Sequence, residues 1–78
     1  MDRTIINTAL TMHLTQMRQR LDQAASIAKA AETRAAAQNI PKAIEIALDV
    51  EQLLYEVTTI LNAASLMHRL YRDGSSDY

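Results

Sequence analysis

Between residues 41 and 72 the apolar positions recur every seven residues. Ala43, Val50, Val57, Ala64 and Tyr71 share one place in the repeat, and Ile46, Leu53, Ile60 and Met67 share the place three residues on. These are the a and d positions of a helix built to pack along another helix. The next place holds Ala47, Leu54, Leu61 and His68, so the apolar face spans a, d and e and is wider than one helical neighbour needs. A helix patterned in this way expects more than one partner.

The first half of the chain carries a second stripe. From Ile6 the large apolar residues fall at Leu10, Leu14, Met17 and Leu21, and the same register continues as Ala24, Ala28, Ala31 and Ala35. The spacing predicts a helix over residues 3 to 38, with Asp2 or Thr4 accepting from the free N–H groups of its first turn. The seam is leucine and methionine at the start and alanine at the end, which lets a neighbour approach more closely there. Thr4, Thr8, Thr11 and Thr15, followed by Gln19, Asp22, Lys29 and Thr33, form the solvated side.

Asn39 tolerates the left-handed backbone that closes many helices. Pro41 disfavours helical backbone at Ile40 and fits the first turn of a new helix. The prediction is a turn at 39–40 and a second helix over 41–72, ended by Asp73-Gly74 and followed by a flexible tail over 73–78. A turn this short forces the helices antiparallel. The expected fold is therefore all-α, a single helical-hairpin domain over residues 1–72. A hairpin centred near Asn39 sets Ala28 level with Val50 to Leu53, and Leu14 level with Ala64 to Met67.

Length turns this pattern toward assembly. The chain has 78 residues, and a domain of that size buries only about 60% of its unfolded surface. It has no cysteine, so neither a disulfide nor a thiolate metal site reinforces the core. At the open end Ile6, Leu10, Leu14 and Met17 meet Leu61, Met67, Leu70 and Tyr71, more bulk than one hairpin encloses. Two hairpins with their turns at opposite ends would set alanine against leucine and close a twofold four-helix bundle. The expected interface is Leu10, Leu14, Met17, Leu21 and Ala28 on helix 1, with Val50, Leu53, Leu54, Val57, Ile60, Leu61, Met67 and Tyr71 on helix 2. The partner is a second copy, giving a homodimer, or another helical protein using the same face.

Thirteen alanines, three aromatic residues, one Gly and one Pro favour helix over sheet. A formal charge of minus one, with signs interspersed, gives no overall attraction to nucleic acid or to an anionic membrane. The N-terminal residues lack the apolar run of a signal peptide, and no segment approaches the roughly 18 apolar residues of a membrane span. A soluble, cytoplasmic protein is expected.

The candidate chemistry is sparse. His13 and His68 fall at one level of the expected hairpin, near Met12, Met17 and Met67, but the spacing lacks the paired ligands of a metal site. They read as histidines at the edge of the core. Glu45, Asp49 and Glu56, with Gln52 between them, line one edge of helix 2 without the Glu-x-x-His pattern of a carboxylate metal centre. With no glycine-rich phosphate loop and no nucleophile beside a base, no catalytic residue, cofactor, metal or small-molecule substrate is expected.

Helix 1 is the basic half, with Arg3, Arg18, Arg20, Lys29 and Arg34. In size and architecture the chain resembles Rop, the homodimeric helical hairpin that binds paired RNA loops through its first helices. That resemblance implies nucleic-acid contact through these five residues, although no motif matches residue by residue and helix 1 has no aromatic residue to stack on a base. The chain also resembles the small helical-hairpin components of bacterial secretion systems in length and lack of cysteine, but its turn has only Pro41 where that family is richer in proline. The leading expectation is a small non-enzymatic interaction protein, an adaptor, chaperone or regulator. A Rop-like regulator and a secretion-system component are the alternatives.

Overall fold

The computed structural model describes residues 3 to 76. Asp2, one of the two expected caps, and the last two residues of the expected tail lie outside that range. Two helices, α1 (Arg3–Ala36) and α2 (Ile40–Ser76), pack along each other as a hairpin. Its Cα extents are 62 × 15 × 12 Å. Thr4, the other expected cap, lies within α1.

The turn is built differently from the expectation. Gln38, not Asn39, takes the left-handed conformation, with φ 64°. The Gln38 N–H donates to the Ala35 carbonyl and the Asn39 N–H to the Arg34 carbonyl, both at 2.9 Å, the bond pair that closes a helix in a Schellman turn. Asn39 is thereby released to cap α2: its Oδ1 accepts from the Lys42 N–H at 3.4 Å, and its carbonyl takes the Ala43 N–H at 3.0 Å. The cap outweighs the steric bias against helical backbone before proline, so α2 starts at Ile40. Pro41 then sits in the first turn, where its missing N–H has no intrahelical partner to lose.

At the other end α2 continues through Asp73 and Gly74 to Ser76. One glycine in a helix costs about 1 kcal/mol relative to alanine, too little by itself to end this one.

Along α2 the seam follows the predicted a and d positions. Ala43, Leu53 and Ala64 are buried, and Ile46, Val50, Val57, Ile60 and Met67 are half-buried. Along α1 the seam departs from the prediction. Ile6, Ala24 and Ala31 are buried and Leu10, His13, Met17, Arg20 and Ile27 are half-buried, while Leu14, Leu21, Ala28 and Ala35 are exposed. The apolar arc of α1 is wide enough to offer two pairings, and α2 covers the one containing His13, Arg20 and Ile27. Among the described residues, four of the six buried ones are alanine, so the helices lie close together over a thin core.

A candidate helical interaction face

The arrangement leaves one long edge of each helix on the same side of the hairpin. Near the turn, Ala28 and Ala35 of α1 line a shallow groove with Ile40, Ala43, Ile44 and Ala47 of α2. At the open end, Asn7 and His68 line another with Ile6, Leu10, Ala64 and Met67. From Asn7 to Ala28 and from His68 to Ala47 both helices advance by whole heptads. The intervening heptad positions, Leu14 with Leu61 and Leu21 with Leu54, therefore fall on that same side.

These four leucines are 46%, 53%, 43% and 49% exposed in that order. Ile40 and Ile44 extend the strip at the turn, at 52% and 56%. A contiguous apolar strip of this kind marks an interaction surface far more often than scattered exposed leucines do.

The reverse side is polar. Gln19, Gln23, Asp49, Gln52 and Glu56 line its groove. Arg20 Nε donates to Glu56 Oε2 at 3.2 Å, and Arg20 Nη1 donates to the Gln16 carbonyl, also at 3.2 Å. The hairpin thus has one apolar and one charged, amide-rich side. Leu48 and Tyr55, beside Glu51 and Gln52, are exposed on the outside of α2.

All but Tyr71 of the residues expected at an interface divide into two groups. Leu14, Leu21, Ala28, Leu54 and Leu61 stand on the open strip. Leu10, Met17, Val50, Leu53, Val57, Ile60 and Met67 are taken up wholly or partly by the seam of the hairpin itself. Tyr71 is exposed on its a position, with the Arg3 guanidinium 5.0 Å from the centre of its ring, a cation–π arrangement. Ile40, Ile44 and Ala35 also belong to the strip. The sequence pattern places the first of these in the turn, and only a helix starting at Ile40 gives it a heptad position.

The pairing levels also shift from the expected ones. Ala28 shares the groove near the turn with Ala47 instead of standing level with Val50 to Leu53, because α1 ends two residues and α2 begins one residue earlier than expected. The same shift separates the histidines. His13 is half-buried, and its Nδ1 lies 2.8 Å from the Ala9 carbonyl. A carbonyl only accepts, so Nδ1 carries the proton. His68 is exposed at the open-end groove, which His13 does not line. Among the described residues no group of three or more His, Cys, Asp or Glu stands together as a metal site, and no helix is long and apolar enough to cross a membrane.

The basic residues of α1 have separate surroundings. Arg18 pairs with Asp22 at 3.3 Å, Arg20 with Glu56, and Arg3 with the Tyr71 ring. Lys29 and Arg34 are exposed. Of the acidic set, Glu45 lies 3.5 Å from Lys42, while Asp49 and Glu56 line the polar groove.

No protein-family model matches the chain, and no curated protein or solved structure matches it.

Proposed function

We propose that this chain is a small non-enzymatic helical interaction protein, an adaptor, chaperone or regulator, whose working surface is the strip around Leu14, Leu21, Leu54 and Leu61. We propose also that it covers that strip by self-association into a four-helix bundle. The observation that carries the reading is the exposure of all four leucines, between 43% and 53%, on a hairpin whose own core is mostly alanine. Full burial of a leucine stabilises by about 1.5 to 3 kcal/mol, so covering four half-exposed leucines on each of two chains contributes several kcal/mol. A hairpin side 62 Å long and 15 Å wide is also of the order of the 800 Å² that each partner of a specific complex buries.

The paired variant Leu21→Arg with Leu54→Arg tests this. It places a charge at the middle of the strip, outside the hairpin seam. Retention of helical hairpins with loss of association supports the reading. Association at undiminished strength contradicts it.

A further inference from the structure

Granting the self-association proposed above, the residue sizes along the strip specify how two copies meet. We infer that the hairpins pack with their turns at opposite ends, about a twofold axis that crosses the strip at the level of Leu21 and Leu54. In that arrangement α1 lies against α1 of the second copy, and α2 against α2.

The strip has five levels, one per heptad, and Leu21 with Leu54 is the middle one. Toward the open end the next level is Leu14 with Leu61, and toward the turn it is Ala28 with Ala47. Turns at the same end would stack four leucines at two successive levels and four alanines at the next, leaving the alanine level underpacked. Opposite ends set each Leu14/Leu61 level over the Ala28/Ala47 level of the other copy, which evens the volume on both sides of the axis. The same rotation brings Glu51 opposite Thr58 of the second copy and Arg18 opposite Ala25, so a carboxylate meets a hydroxyl and the guanidinium crosses a small residue. It sets no like charges face to face.

The chain has no cysteine, so single-cysteine variants of the full chain read the geometry directly. A side chain beside a twofold axis meets its own copy, and a disulfide needs Cβ atoms about 4 Å apart. Under mild oxidation Leu21→Cys and Leu54→Cys should each convert mostly to covalent dimer. Ala28→Cys should do so little alone but should link to Leu14→Cys when the two are mixed. Two sites on the axis keep the test valid if one substitution unfolds the chain. Should Leu21→Cys link only to Leu54→Cys, the turns lie at the same end, and this inference falls while self-association stands. A scattering mass of two chains with no cross-link at any of these positions likewise overturns the arrangement alone. A scattering mass of one chain overturns both.

Discussion

Arg20 and Glu56 meet across the seam of the hairpin, Nε to Oε2 at 3.2 Å, at a level where the heptad would otherwise place an apolar residue of α1. The same guanidinium holds the Gln16 carbonyl, so one side chain ties a turn of α1 to α2. Its bearing on the fold is specificity of register more than stability. The side chains are 33% and 37% exposed, which places the pair with surface ion pairs of about 0.2 to 1 kcal/mol. Glu56→Gln should therefore lower stability to urea by less than about 1 kcal/mol, with the loss shrinking in high salt. Arg20→Met removes the same pair and should cost a similar amount, and only the double replacement Arg20→Met with Glu56→Leu should be near neutral. A loss above about 3 kcal/mol on Glu56→Gln would place the pair in a far drier setting than this one.

The turn gives a stabilising change. Gln38 holds left-handed backbone at φ 64°, which costs a residue with a Cβ roughly 1 kcal/mol and glycine nearly nothing. Gln38→Gly should raise stability by about 0.5 to 1 kcal/mol after the extra freedom of the unfolded glycine is counted, and the thermal midpoint with it. A lowered midpoint would mean that Gln38 is not the residue closing α1.

Two neighbouring leucines should respond differently. Leu53 is 8% exposed in the seam, while Leu54 is 49% exposed on the strip. Leu53→Ala removes core from each hairpin and should cost about 2 to 4 kcal/mol at any protein concentration. Leu54→Ala acts on association, so its cost should fade on dilution below the dissociation constant. Denaturation at several protein concentrations separates the two.

Ala24 and Ala28 form a second such pair. Ala24 is 7% exposed, between the helices, and Ala24→Leu should force them apart and reduce helicity in the single chain. Ala28 is exposed, so Ala28→Leu should leave the hairpin intact and weaken the dimer by about 1 to 3 kcal/mol through overpacking. An Ala28→Leu protein that associates as tightly as the parent would remove Ala28 from the interface.

Much of this was legible in the sequence, because heptad spacing fixes which residues of α2 share a face, and the a and d positions from Ala43 to Met67 fill the seam as read. The seam of α1 was harder. Leu14 and Leu21 are the larger hydrophobes, yet His13 and Arg20 lie inward of them, because a wide arc has two edges and only the neighbour decides which one it covers. The turn was misplaced for a local reason: Asn39 suits both a left-handed closure and a helix cap, and it serves as the cap. The earlier end of α1, by two residues, and the earlier start of α2, by one, together move every cross-helix level, including those of His13 and His68. The strip itself was half visible, since the e positions Ala47, Leu54 and Leu61 announce a second neighbour, while Ile40 joins them only once α2 begins one residue before Pro41.

Self-association through the leucine strip is read most directly from the molar mass of the unmodified chain by light scattering over a wide concentration range, with helicity followed on the same samples. Two copies joined over the leucine strip give a helical particle of twice 8.7 kDa that dissociates only on strong dilution. A fully helical particle of 8.7 kDa persisting at the highest concentrations would contradict it, because the leucine strip would then stand uncovered in water without drawing two copies together.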